Sequence, residues 1–168
     1  MRYADYDIAE DETCDVQPAL SPFAKVMHLA RRTARKAIIA VVEDGVRISQ
    51  ELWAICEFLD IEVVRVPGYS DLDATLRAHV PMAVVCELDG ARQDGCHVMK
   101  TVAGYDPSLP VLILTGSDPT LIGAADAVEE IWRLREVTKA EVLPSIAGLV
   151  DFLFHAGRKG GCLRLMPA

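Results

Sequence analysis

The chain has 168 residues, about half hydrophobic and a quarter charged, which suits one domain with its own core. A net charge of −8 argues against broad binding to nucleic-acid phosphates. The chain holds no apolar run of the roughly 20 residues that a membrane helix needs, and its five cysteines lack metal-ligand spacing, which favours a reducing, cytoplasmic compartment over a disulfide framework.

The first 36 residues form two segments of opposite charge. Residues 1–17 are acidic and poor in large apolar side chains, which predicts a disordered tail. Residues 18–36 hold five bases and no acid, and their apolar residues recur at three- and four-residue spacing, which predicts a basic amphipathic helix. This helix would either pack on its own domain with its charges in water, or dock to an acidic partner or a second copy.

Residues 37–156 alternate between apolar runs and helical periods, which predicts one α/β domain followed by a short tail at 157–168. The predicted strands are 37–42, 62–66, 82–87, 111–115 and 131–135. Helices are predicted between the strands, including 70–79, 95–104 with Asp94 as its N-cap, and 119–128. A capping box of Thr138 and Glu141 predicts the start of the last helix.

Strands that alternate with helices form a parallel sheet covered on both faces. Right-handed crossovers among five strands favour the doubly wound, flavodoxin-like order 2-1-3-4-5. Because ligands of such sheets bind at the carboxyl ends of the strands, the polar residues at those ends are the candidates for a functional site. They are Glu43 and Asp44 after the first strand, Glu87 and Asp89 after the third, and Thr115 after the fourth.

These strand ends resemble the motifs of the response-regulator receiver domain family, the CheY-like domains. An acidic pair follows the first strand, an acid ends the third with Asp94-Gly95 seven and eight residues later, and Thr115-Gly116 ends the fourth. Residues 132–137, which include most of the predicted fifth strand, are similar to the family's aromatic residue, two further residues, then Lys-Pro. The resemblance covers residues 37–155 and implies the CheY-like fold.

The resemblance also implies a role for each candidate. Glu43, Asp44 and Asp89 would form an acidic pocket, in which the first two would help to hold Mg²⁺. Glu87 would occupy the position of the phosphate-accepting aspartate. Thr115 and Trp132 would be the switch residues, and Arg135 would replace the family's lysine. No catalytic residue of an enzyme and no further cofactor is implied.

Two departures from the family pattern decide the expected function. Glutamate at 87 adds one methylene to the aspartate side chain, which moves the carboxylate about one bond length towards the space of a phosphoryl group. Arginine at 135 can grip a carboxylate with two parallel hydrogen bonds, which lysine cannot. We hypothesise that Glu87 and Arg135 form a built-in ion pair that replaces phosphoaspartate and lysine. A decayed site, in which Glu87 merely satisfies Arg135 or solvent, stays equally open.

Three functions are compatible with these residues. The leading one is a stand-alone, non-enzymatic pseudo-receiver that contacts a histidine kinase, another regulator or a second copy without phosphorylation, and binds neither nucleic acid nor membrane. The second is an active phosphorelay receiver that accepts phosphate on Asp89 or on Glu87 itself. The third is a flavodoxin-like ligand-binding module, although the chain lacks a phosphate-binding loop. No output domain is expected after residue 156.

Two cysteines lie close to these motifs. Cys86 precedes Glu87, so strand alternation predicts that its thiol is buried on the other side of the strand. Cys96 falls in the first turn of a predicted helix, where the helix dipole lowers the pKa of a thiol. A redox role for either thiol is therefore a minor alternative to ordinary burial.

Overall fold

The computed structural model describes residues 35–90 and 93–162. The acidic tail, the basic helix predicted at 18–36 except for its last two residues, and residues 163–168 lie outside this part of the chain. None of the helices in the described part is long and apolar enough to cross a bilayer.

The described residues form a five-stranded sheet and five α-helices. The strands are β1 Ile38–Val42, β2 Glu62–Val66, β3 Ala83–Glu87, β4 Val111–Leu114 and β5 Val137–Ala140. The helices are α1 Arg47–Phe58, α2 Leu72–His79, α3 Gly95–Tyr105, α4 Pro119–Trp132 and α5 Ile146–Lys159. Neighbouring strands are parallel in the order β2-β1-β3-β4-β5, which confirms the predicted doubly wound topology.

Alternate side chains of the strands build a hydrophobic layer on each face of the sheet. Val41 packs on one face in a cluster with Leu52 of α1 and Leu153 of α5. Ala40 packs on the other face in a cluster with Leu76 of α2 and with residues of α3 and α4. Because both faces are covered, the three central strands β1, β3 and β4 are apolar up to Glu87 at the end of β3 rather than alternating, and each buried leucine stabilises the fold by about 1.5–3 kcal/mol.

The prediction of a fifth strand at 131–135 was wrong. Helix α4 continues through Trp132, and Arg133 ends it in the left-handed conformation with φ of 55°. The strand begins only at Val137, where two β-branched residues, Val137 and Thr138, fit a pleated surface. This shift removes Trp132 and Arg135 from the strand on which the sequence had placed them.

The predicted start of the last helix was also wrong. Thr138 lies within β5, so it cannot form a capping box with Glu141. Ser145 caps α5 instead, because its hydroxyl accepts a hydrogen bond from the N–H of Gly148 at 3.4 Å. Pro144 therefore precedes the helix, and α5 runs to Lys159, past the predicted domain boundary at 156.

Candidate functional site

An open cleft of about 320 Å³ lies at the carboxyl ends of β3 and β4. Three of the residues predicted for the site line it: Glu87, Asp89 and Thr115. The parallel register explains their proximity, since Glu87 pairs with Leu114, the residue before Thr115. Arg47 of α1 and Glu141 of the β5–α5 loop also line the cleft, and neither was predicted as a site residue.

Glu87 forms an ion pair with Arg47, which lies 40 residues away in the chain. A guanidinium nitrogen of Arg47 donates to Oε1 of Glu87, and this bond raises the pKa of Arg47 above its usual value. The Glu87 side chain is 28% exposed, and that of Arg47 is exposed, so the pair adds only about 0–1 kcal/mol to stability. Its main consequence is that a negative and a positive group are both held in the cleft.

The predicted partner of Glu87 lies elsewhere. Arg135 precedes β5, and its N–H donates to the carbonyl oxygen of Pro107 at 2.9 Å. Arg135 therefore lies at the amino end of β5, whereas the cleft lies at the carboxyl ends of the parallel strands. Trp132 is the last residue of α4, and the ammonium of Lys100 lies 5.5 Å from the centroid of its ring. The predicted Glu87–Arg135 ion pair is therefore wrong, and Trp132 does not occupy the predicted position on β5.

Lys139 of β5 is a further charged residue that was not predicted from the sequence. Lys139 bonds to Asp126 and Glu129 of α4. Burial lowers its pKa, but these two bonds outweigh burial and the net pKa is raised. The β-branched residues at 137 and 138 are the signal that could have placed the strand, and hence Lys139, correctly.

Glu43 caps the start of α1 from inside the protein. Its side chain is 2% exposed, and its carboxylate accepts hydrogen bonds from the N–H of Ile48 at 2.8 Å and of Ser49 at 3.3 Å. The hydroxyl of Ser49 and Nε of Arg65 also donate to it. The free N–H groups and the dipole of a helix start both favour a carboxylate there. Glu43 thus positions the helix turn that carries Arg47.

The predicted Mg²⁺ pocket does not fit the observed arrangement. Both carboxylate oxygens of Glu43 are bonded to α1, whereas Asp44 is exposed. Over the described ranges, no group of three or more His, Cys, Asp or Glu side chains is arranged to hold a metal ion. Mg²⁺ needs several oxygen ligands in near-octahedral geometry, and the residues at 43 and 44 do not supply them.

Thr115 connects the cleft with β5. Its side chain is 5% exposed, and its hydroxyl lies 3.0 Å from the carbonyl oxygen of Gly116 and 3.3 Å from that of Ala140. Its N–H donates to the same Ala140 carbonyl at 2.8 Å. The hydroxyl and the N–H of Thr115 therefore both contact the Ala140 carbonyl at the end of β5, so a change at Thr115 would act directly on that strand.

Asp89 is exposed and belongs to a short antiparallel hairpin in which Asp89–Gly90 pairs with Gln93–Asp94. Asp94 caps α3, as predicted, because its carboxylate accepts a hydrogen bond from the N–H of Cys96 at 2.9 Å. Asp89 lines the cleft two residues beyond Glu87, so it is the second carboxylate of the candidate site.

The thiols of Cys56 in α1 and of Cys86 and Cys96 near the site are poor nucleophiles. Burial raises the pKa of Cys86 to about 12 and that of Cys56 to about 11. The expectation that the helix dipole lowers the pKa of Cys96 was wrong, because partial burial, followed by the Asp94 carboxylate, raises it. These thiols therefore stay protonated at neutral pH and become reactive only as the pH rises towards their pKa values.

We expect Cys56 and Cys86 of the folded protein to resist iodoacetamide at about pH 8, a condition under which a free cysteine reacts readily. Peptide mapping by mass spectrometry measures the modified fraction of each thiol, with the urea-unfolded protein as the control in which all thiols react. Native modification of Cys86 at the rate of N-acetylcysteine would contradict the assignment of a buried, protonated thiol.

No protein-family model matches the sequence, and no curated protein is similar to it. Solved structures are similar in fold. A receiver domain protein from Clostridium thermocellum shares 21% identity and a TM-score of 0.59, covering 76% of this chain and 98% of its own. The signal receiver domain of a histidine kinase from Syntrophus aciditrophicus has 17% sequence identity and a TM-score of 0.60, and the match covers 73% of this chain and 91% of that domain. The beryllofluoride-activated NtrC4 receiver domain dimer has 16% sequence identity and a TM-score of 0.58, and the match covers 73% of this chain and 98% of that chain.

Each of these structures is matched over at least nine-tenths of its own length, and the strand order of this chain is that of the CheY-like fold. The sequence identities are low, so the likeness is one of fold. The described part of this protein has the CheY-like receiver fold.

Proposed function

We propose that the protein is a receiver-like signalling module that acts by protein–protein contact and does so without phosphorylation. The observation that carries this proposal is the residue at the end of β3. Where receiver domains carry the phosphate-accepting aspartate, this chain has Glu87, and Arg47 holds its carboxylate. The cleft thus contains a permanent negative charge with its own counter-ion.

The surroundings of Glu87 support phosphorylation independence. A phosphoryl group needs a cation that neutralises its charge, and the residues at 43 and 44 do not form such a site. Lys139, the basic residue of β5, bonds to acids of α4 and does not line the cleft. Arg47 is thus the base that contacts Glu87, and its guanidinium is already bonded to the Glu87 carboxylate.

The state of the cleft can reach a partner through Thr115, whose hydroxyl contacts the end of β5. The partner would be a histidine kinase, another regulator or a second copy of this chain, and the module itself would catalyse no reaction. Two similar structures favour these classes of partner, since one is the receiver domain of a histidine kinase and another is a receiver domain dimer.

One observation favours a second candidate function, a phosphorelay receiver that uses Asp89. This aspartate is exposed, lines the same cleft as Glu87 and has the side-chain length that phosphoryl transfer to receivers requires. It lies on the hairpin beyond β3, two residues from the usual acceptor position, which is why we rank this function second.

We expect incubation with acetyl phosphate and Mg²⁺ to leave the intact mass of the protein unchanged, because no residue of the cleft combines an aspartate carboxylate with a cation site. Affinity purification with treated and untreated bait should retain the same proteins. Glu87→Ala should lose them, since it removes the permanent charge.

Asp73→Ala is the matched control, because Asp73 is also an ion-paired carboxylate but lies on the exposed face of α2. This variant should retain the same proteins as the wild type. A stable phosphoryl mass gain that disappears in Asp89→Asn would establish the second candidate instead, and full partner retention by Glu87→Ala would refute the role of the permanent charge.

A further inference from the structure

The outer edge of β2 presents main-chain groups in a defined pattern. In the described sheet, β2 is an end strand with β1 on its inner side. The N–H of Glu62 donates to Ala37 at 2.9 Å, and the carbonyl of Val66 accepts from Glu43 at 3.2 Å. Because the direction of main-chain groups alternates along a strand, Val63 and Arg65 turn their N–H and C=O groups away from β1.

An apolar groove lies beside this edge, on the face of the sheet that α1 covers. It has a volume of about 430 Å³ and is lined by Val46, Ser49, Gln50, Trp53, Val63 and Arg65. Trp53 is 62% exposed. The two residues that turn their main chain outward, Val63 and Arg65, also line the groove. The edge therefore combines outward-facing hydrogen-bonding groups with an exposed aromatic wall, the combination by which edge strands recruit another strand.

We propose that β2 pairs with β2 of a second copy in antiparallel orientation, with the two-fold axis at Val64. In this register Val63 lies opposite Arg65 of the second copy, and Arg65 lies opposite its Val63. Both are residues whose main-chain groups face outward, so each of the two pairs can exchange two hydrogen bonds. A shift by one residue would bring outward-facing groups of one copy opposite inward-facing groups of the other, and a shift by two would leave only one such pair within β2, so this register makes the most hydrogen bonds.

The charges of the edge favour a second copy over an unrelated strand. Helix α1 runs opposite to β2, so its Glu57 lies near the beginning of β2, whereas Arg65 lies near the end. Antiparallel pairing inverts the second copy and brings its Glu57 towards Arg65. Both residues are exposed, and the two-fold axis repeats the contact, as isologous interfaces require. The two Trp53 side chains would meet above the paired edges.

This dimer goes beyond the proposed function and does not depend on it. Arg47, Glu87 and Thr115 of the cleft take no part in the β2 edge, so failure of the phosphodonor experiment would leave the dimer untouched. Conversely, a monomeric protein could still signal through the cleft by contact with a different partner.

The test follows amide hydrogen exchange and molar mass while the protein concentration is varied. Light scattering after gel filtration should show the mass of a dimer at high concentration and of a monomer on dilution. The amides of Val63 and Arg65 should be protected only in the dimer. The amides of Val64 and Val66 face β1 and should be protected at every concentration, which makes them internal controls.

Two matched variants test the surface itself. Trp53→Lys places a charge in the proposed interface and should raise the dimer dissociation constant by at least about tenfold. Phe58→Lys introduces the same charge on the same helix, at a residue that is 87% exposed and outside the groove, and should leave the dimer intact. Circular dichroism shows whether both variants are folded.

A chain that stays monomeric up to its solubility limit would overturn the proposal. So would a dimer in which the Val63 and Arg65 amides exchange as fast as in the monomer, or a dimer that Trp53→Lys does not weaken, because either result would place the interface on another surface.

Discussion

Glu43→Ala is expected to lower the free energy of unfolding by about 2–4 kcal/mol. The Glu43 carboxylate is buried and accepts bonds from the first turn of α1 and from Arg65. Its removal leaves the N–H groups of Ile48 and Ser49 without their acceptor in a site that water hardly reaches. Urea unfolding followed by circular dichroism measures the change through the midpoint at constant slope.

Glu51→Ala is the control for this variant, since Glu51 lies on the same helix but is exposed and contacts Arg47 only at 3.4 Å. Its effect should stay within about 0.5 kcal/mol. Equal losses in the two variants would mean that Glu43 is not a special support of α1. Because α1 carries Arg47, the Glu43 variant should also weaken the Arg47–Glu87 contact, which the chemical shift of the Arg47 side chain would report.

Gly95→Ala is expected to cost about 1–3 kcal/mol of stability, because the helix start has no room for a methyl group. A Cβ at this position would lie 2.6 Å from Cα of Leu88 and 3.0 Å from the carbonyl oxygen of Glu87. These are main-chain atoms, which cannot rotate away as a flexible side chain could. The first turn of α3 would therefore be pushed off the end of β3, and Glu87 would move with it.

Gly104→Ala makes the same substitution near the other end of α3, where no atom lies within 4 Å of the added methyl group. It should be neutral or stabilise the protein by up to about 1 kcal/mol, because alanine favours a helix more than glycine does. Thermal unfolding of the two variants beside the wild type separates steric crowding from helix propensity. Similar melting temperatures for both would contradict the close approach of α3 to β3.

Glu43→Ala and Gly95→Ala both test whether the ion pair in the cleft depends on how the neighbouring helices are held. Glu43 supports the start of α1, which presents Arg47, and Gly95 allows α3 to start close behind Glu87. The ion pair in the cleft thus depends on the docking of two helices against the carboxyl ends of β1 and β3. Stability and the geometry of the candidate site are coupled through these contacts.

Much of the fold could be predicted from local pattern. Apolar runs placed β1 to β4, and helical periods placed α1 to α3, because a buried parallel strand and an amphipathic helix each impose their own spacing on the chain. The strand order followed from right-handed crossovers. The error at β5 arose because Ile131 and Trp132 read equally well as strand or as the last turn of a long helix, and α4 took them.

The sequence alone determined that Glu87, Asp89 and Thr115 meet at one edge of the sheet, because parallel strands end together. Only the tertiary structure decided which charged groups meet there. Arg47 reaches Glu87 across 40 residues, Glu43 turns inward to α1, and Lys139 turns to α4. Such pairings depend on how each helix docks on the sheet, and docking is set by side-chain packing between distant segments rather than by the spacing of residues along one segment.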